Sequence, residues 1–186
     1  MKKMVKNTFG EYESNDLWFR RLPGISHYYF GKIKKILCSW IENKEGVALD
    51  FGCGQQRLKD FLPRGMKYVG YDIIPEYTDV KDFKKTNPGL FFSVSSFEHV
   101  THEELDDILK WICSSNIKQV FVDLPIRNDR YLLWALMGFK KRVIQEHHLD
   151  TIPYDLQDMH NRIAKYLKLH RECVYHNHAL TEWRKK

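Results

Sequence analysis

The stretch Val47-Ala48-Leu49-Asp50-Phe51-Gly52-Cys53-Gly54-Gln55-Gln56 decides how the chain reads. Its apolar start predicts a buried strand that delivers Asp50 to its carboxyl end. Gly52 and Gly54 let the backbone bend sharply and approach a ligand with no Cβ in the way, and a helix is expected next. The following run, Lys67-Tyr68-Val69-Gly70-Tyr71-Asp72, predicts a second strand that ends in a second acid. A carboxylate placed there can accept hydrogen bonds from ribose hydroxyls. Strand, glycine turn, helix, strand, acid is the pattern of a site for a nucleoside-type cofactor.

Further on, Leu90-Phe91-Phe92-Ser93-Val94 predicts another buried strand, which carries Ser95-Ser96-Phe97-Glu98-His99 to the same sheet edge as Asp50 and Asp72. In an open parallel sheet, ligands bind outside the carboxyl ends of the strands, where the strand order reverses. Leu49 to Gly54, then Gly70-Tyr71-Asp72, then Ser95 to Val100 together resemble the class I S-adenosylmethionine-dependent methyltransferases. The resemblance covers residues 47–123 well and runs more loosely to about 178. It departs from the family at Gln56, where a third glycine is common.

The resemblance implies an α/β fold, a Rossmann-like, doubly wound, mostly parallel sheet flanked by helices. The family closes with an antiparallel hairpin. Only about eight residues follow the last predicted strand, 172–178, so truncation at the final strand is expected. The implied cofactor is S-adenosyl-L-methionine. Gly52, Gly54 and the backbone near Cys53 are expected to hold its methionine part. Asp50 would fix the turn or the amino group, and Asp72 would take the ribose hydroxyls. Ile73 offers an apolar rest for adenine. An acid after the third strand would reach the adenine amino group; Asp79 and Asp82 both qualify, with Asp82 preferred. Ser95, Ser96 and Phe97 are expected beside the methionine or adenine.

A chain of 186 residues suits one domain with a sizeable core. Residues 1–45 form an N-terminal region with a covering helix, 46–125 the cofactor-binding core, and 126–186 an acceptor-side segment with a C-terminal helix and strand. No apolar run is long enough to span a bilayer, and the N-terminus lacks the apolar stretch of a signal peptide. The four cysteines, Cys38, Cys53, Cys113 and Cys173, have no metal-like or disulfide-like spacing. They read as reduced thiols in a cytoplasmic protein. The net charge of +6 divides unevenly: +4 over residues 1–46, −2 over 47–139 and +4 over 140–186. The basic ends can face an anionic partner such as RNA, a phosphorylated sugar or a lipid-linked glycan, or can be solvated surface.

A helix is expected over 26–42, with Ser26 as N-cap and Tyr29, Ile33, Ile36, Leu37, Trp40 and Ile41 on one side. Lys32, Lys34 and Lys35 fall largely opposite. His27, Tyr28 and Tyr29 can line the site or pack. Leu58, Phe61 and Leu62 predict a short helix that Pro63 ends, and 77–83 predict a third strand. Thr101 and Glu104 form a capping box ahead of Leu105, Ile108, Leu109 and Ile112. Residues 120–123 predict a fifth strand. A Trp- and Leu-rich helical stretch over 128–138 and the loop around His147 and His148 would form the acceptor pocket. Leu156, Met159, Ile163 and Leu167 give a last helix its buried side.

Methyl transfer from a sulfonium is an in-line displacement in which the protein mainly aligns nucleophile and methyl and excludes water. A hydroxyl acceptor benefits from a base, for which His99, His147 and His148 are candidates. His176 and His178 share a strand face, but no acid or cysteine stands at ligand spacing, so no metal is expected. The expected activity is O- or N-methylation of a small molecule or saccharide. RNA methylation is the rival, although no Asn-Pro-Pro-Tyr or Asp-Pro-Pro-Tyr signature is present. A non-catalytic binding scaffold is the third reading. Nicotinamide chemistry fits less well because the glycine spacing is not Gly-x-Gly-x-x-Gly.

Overall fold

The computed structural model describes residues 4–7, 10–13, 23–126, 155–176 and 178–186. Two strands, β1 (Met4–Asn7) and β2 (Gly10–Glu13), form a small antiparallel hairpin. The main sheet has six strands: β3 (Val47–Phe51), β4 (Lys67–Tyr71), β5 (Leu90–Val94), β6 (Gln119–Pro125), β7 (Leu167–Tyr175) and β8 (His178–Lys185). Their order is β4-β3-β5-β6-β8-β7. The first four run parallel and the last two antiparallel. Among the described residues, three helices cover the sheet: α1 (Pro23–Ser39), α2 (His102–Ser114) and α3 (Leu156–Tyr166).

Side chains alternate across a strand, so each apolar strand supplies two cores. Leu49, Phe91, Val120, Val122 and Trp183 pack against Leu105, Ile108, Leu109 and Ile112 of α2 and Met159 and Ile163 of α3. Ala48, Leu90, Phe92, Phe121 and Leu180 pack on the other side with Ile33 and Leu37 of α1 and with Ile41 just after it. This two-sided burial explains why the central strands read as continuous apolar runs. From β3 the chain steps to β4 on one side and returns to β5 on the other, so the strand order reverses beside Asp50.

The capping box of α2 forms as expected. Thr101 Oγ1 accepts from the Glu104 N–H, and the Glu104 carboxylate accepts from the Thr101 N–H at 2.8 Å. Helix α1 begins three residues earlier than expected, with Pro23 in its first turn, where a missing N–H costs nothing. Ser26 therefore lies inside the helix.

Three expectations are corrected. After the glycine turn there is only a 3-10 turn, Arg57–Asp60, because few residues separate Gln56 from the helix-ending Pro63. Leu58 is still buried. Residues 77–83 form no strand. Asp79 takes a partner strand's place: its N–H donates to the Gly70 carbonyl and its carboxylate accepts from the Gly70 N–H, both at 2.8 Å. A side chain that satisfies the edge locally leaves no ladder to extend. The final strand is not truncated. β7 starts directly at Leu167, and β8 runs eight residues to Lys185. His176, at φ 53, lies in the hairpin connection, so it does not share a strand face with His178.

At the amino edge of the sheet, Gln119 donates to Glu182 at 2.9 Å and to the Trp40 carbonyl at 3.1 Å. Arg184 bonds both Glu182 and Glu42. Glu42, His170 and Glu182 come within 4.8 Å of one another, but Arg184 and Arg171 already neutralise these carboxylates. This ion-pair network ties the end of α1 to the terminal hairpin.

Candidate functional site

The turn after β3 is built from alternating left-handed residues. Gly52 sits at φ 71, Gly54 at φ 49 and Gln56 at φ 56. Gln56 thus holds the glycine-like conformation that its position demands. Its Nε2 compensates by donating to the Tyr77 carbonyl at 2.7 Å and to Asp79 at 2.9 Å. The Gly52 and Cys53 N–H groups both donate to the Tyr71 carbonyl, at 2.8 and 3.1 Å, folding the turn over the end of β4. Asp72 completes the loop: Oδ2 accepts from the Gly54 N–H and Oδ1 from the Ile74 N–H, each at 2.9 Å.

The two glycines differ in what surrounds them. A Cβ on Gly52 would lie 2.3 Å from Ser96 Oγ, so the turn and the β5 loop touch there. A Cβ on Gly54 would meet nothing within 4 Å. Space is therefore open on the side of Gly54, next to Asp72 and next to Ile73, which is 58% exposed. A nucleoside cofactor fits these residues: a tight turn with no side chain in the way at Gly54, a carboxylate at the rim and an exposed apolar side chain beside it.

Asp50 is buried at the end of β3 and accepts a hydrogen bond from Tyr68 Oη at 2.9 Å. Burial pushes its carboxyl up to about 6, against the pull of the Lys34 ammonium. Burial likewise lowers Lys34. The Cys53 thiol donates to the Tyr77 carbonyl at 3.2 Å and is pushed up to about 12 by burial and neighbouring carboxylates. It stays protonated, a packing group and not a nucleophile.

Ser95 stands at φ 52, an uncommon conformation for a non-glycine residue. It is held by its N–H on the Asp123 carbonyl at 3.2 Å and its Oγ on Asp123 Oδ2 at 2.7 Å. The other Asp123 oxygen meets His178 Nδ1 at 2.7 Å. Ser95, Asp123 and His178 thus come together from three strands at the carboxyl rim. Sequence reasoning missed this group. The available signal was Asp123 itself, an acid closing an apolar strand as Asp50 does.

The other expected residues scatter. Ser96 is buried against Gly52, and Phe97 is fully buried between Phe51 and Phe91, so its side chain belongs to the core. Asp79 is taken up by Gly70 and Gln56. Asp82 is exposed and caps the 3-10 turn Phe83–Lys85. His99 lies on the 3-10 turn Phe97–His99, its ring 4.0 Å from Glu98. Tyr28 is largely exposed. His147, His148 and the 128–138 stretch lie outside the described residues, as do the side chains of His27 and Tyr29. All four cysteines are free thiols, and no helix among the described residues is long and apolar enough to cross a membrane.

No family model matches the sequence, and no curated protein matches it. Solved structures do match. The PH0226 protein of Pyrococcus horikoshii OT3 aligns with a TM-score of 0.65 at 17% identity, over 91% of this chain and 99% of that one. Magnesium protoporphyrin IX methyltransferase of Synechocystis PCC 6803, solved with bound SAH, aligns with a TM-score of 0.56 at 12% identity, over 96% and 90%. Human N-acetylserotonin methyltransferase in complex with SAM aligns with a TM-score of 0.59 at 12% identity, over 90% of this chain and 55% of that enzyme. At such identities the likeness is one of architecture: the chain has the fold of the class I S-adenosylmethionine-dependent methyltransferases.

Proposed function

We propose that the chain is an S-adenosylmethionine-dependent methyltransferase acting on oxygen or nitrogen of a small molecule or saccharide. One observation carries the reading. The glycine turn is bonded through Gly54 to Asp72 at the point where the strand order reverses, with open space beside it. The Gly52, Cys53 and Gly54 backbone would hold the methionine part of the cofactor, with Asp50 behind it. Each Asp72 oxygen holds one backbone N–H and keeps a second lone pair for ribose hydroxyls. Ile73 offers a face to the base, and Asp82 lies on the loop that follows. Ser95 and Ser96 border the turn, while Phe97 supports it from the core.

When bound, the cofactor supplies an electrophilic methyl on a sulfonium. The chain's own part is alignment and proton handling. Asp123 holds the His178 ring through Nδ1 at 2.7 Å and so orients the imidazole that would take the acceptor's proton. This pair replaces His99 as the preferred base among the described residues, because Asp123 fixes its orientation.

The described basic residues near the C-terminus argue against RNA as acceptor. Lys165, Lys168, Lys185 and Lys186 gather where Leu167 pairs with Lys185, at the end of the hairpin away from His178. Incubation with methyl-labelled S-adenosylmethionine and fractionated cell extract tests the reading. Label in the small-molecule or glycan fraction supports it; label confined to RNA, or none in any fraction, contradicts it.

A further inference from the structure

Resting on that reading of the cofactor site, we propose that Lys34 binds the α-carboxylate at the amino-acid end of the cofactor. Helix α1 enters β3 through the amino edge of the sheet and so runs antiparallel to it. Its earlier turns therefore overlie the carboxyl rim, as the contact between Phe30 and His178 shows, with ring centroids 5.8 Å apart. Lys34 lies one turn further along, with Nζ 5.6 Å from the Phe30 ring. The charges that act on it are Asp50, Asp123 and Arg57, which come from the ends of β3 and β6 and from the residues just after the glycine turn. The ammonium thus sits on the rim side of the sheet, within the field of Asp50 and Arg57, which flank the turn that would carry the amino-acid end.

Lys34 does not serve those acids as an ion-pair partner. Asp50 is bonded by Tyr68, and Asp123 by Ser95 and His178. No carboxylate of the described residues lies within 4.0 Å of Lys34 Nζ. A lysine present only for neutralisation would close onto one of them. A half-buried ammonium with three donors and no carboxylate of the described residues at ion-pair distance keeps those donors for the anion of a ligand. A carboxylate on the acceptor has the same chemistry, so the test uses cofactor analogues without acceptor.

Titration calorimetry compares the whole chain with Lys34→Met and Lys34→Arg. The probes are S-adenosylhomocysteine, its analogue with the α-carboxylate replaced by hydrogen, and methylthioadenosine. The wild-type protein is expected to prefer S-adenosylhomocysteine over the decarboxylated analogue by about 10- to 100-fold. Lys34→Met should erase that preference by weakening S-adenosylhomocysteine alone, and Lys34→Arg should keep part of it. Equal weakening of all three probes, or no change in any, overturns the role of Lys34 and leaves the cofactor site standing. Failure of wild-type protein to bind any probe overturns the cofactor reading and this inference with it. Thermal melts of both variants establish that they are folded.

Discussion

Asp72 holds the Gly54 amide on one carboxylate oxygen and the Ile74 amide on the other, both at 2.9 Å. The acid at the end of β4 therefore shapes the turn at the end of β3, and a ligand that touches one touches both. Removing the carboxylate leaves two amides to water. Asp72→Ala is expected to cost about 1–2 kcal/mol of stability and to weaken S-adenosylhomocysteine binding by at least about tenfold. Asp72→Asn should be no better, because its NH2 group would face one of the two N–H donors. Urea unfolding and calorimetry check both statements.

Gly52 and Gly54 separate folding from binding. Gly52→Ala drives a methyl into Ser96 at a left-handed φ. It is expected to destabilise the protein by about 2–4 kcal/mol. Adding Ser96→Gly removes the clash but not the backbone strain, and should recover about 1 kcal/mol or more. Gly54→Ala meets no atom. It should cost only about 1–2 kcal/mol, yet place a methyl in the open space and abolish cofactor binding. Equal stability losses for the two alanine variants would contradict the geometry.

Asp50 makes stability depend on acidity in an unusual direction. Its folded carboxyl is raised from 3.8 to about 6, so between those values the native state holds more proton than the unfolded state. Stability therefore falls as pH rises from about 4 to about 6 and stays lower above. The ceiling is about 3 kcal/mol. Asp50→Asn keeps the shape and removes the titration. Melting temperatures across pH 4–7 should fall more steeply for the wild type than for the variant; parallel curves would remove Asp50 from the account.

Asp123 closes two hydrogen bonds at once, a part-buried one to Ser95 and a buried one to His178. Asp123→Ala leaves both partners unmatched and should cost about 3 kcal/mol. Nitrogen-15 spectra should show the His178 proton on Nδ1 in the wild type and a tautomer mixture in the variant. A proton found on Nε2 in the wild type would remove His178 as a base.

Much of this was legible in the sequence, and where it was not the reasons are local. Apolar runs bounded by acids or turn residues announced β3, β5 and β6, because strands buried on two sides must be apolar throughout, and the shorter Tyr68-Val69-Gly70-Tyr71 run announced the edge strand β4. The capping box announced α2. The missing third strand was not legible: Tyr77 to Phe83 has strand composition, and only the folding of the Asp79 carboxylate back onto Gly70 shows that Asp79 does a strand's work there. The position of Lys34 was readable but misassigned to the polar side. It lies four residues after Phe30 and three before the buried Leu37, which sets it half-buried at the border of the buried stripe. The Asp123–His178 pair joins residues 55 apart through an antiparallel strand whose pairing no local pattern specifies.

The central claim is that the rim formed by Gly52, Gly54 and Asp72 grips an adenosyl cofactor. A crystal structure grown with S-adenosylhomocysteine tests it most directly. The account predicts ribose density on Asp72, the base against Ile73 and the amino-acid end over the glycine turn. Density for the ligand elsewhere, or a turn left bare at saturating ligand, would contradict it.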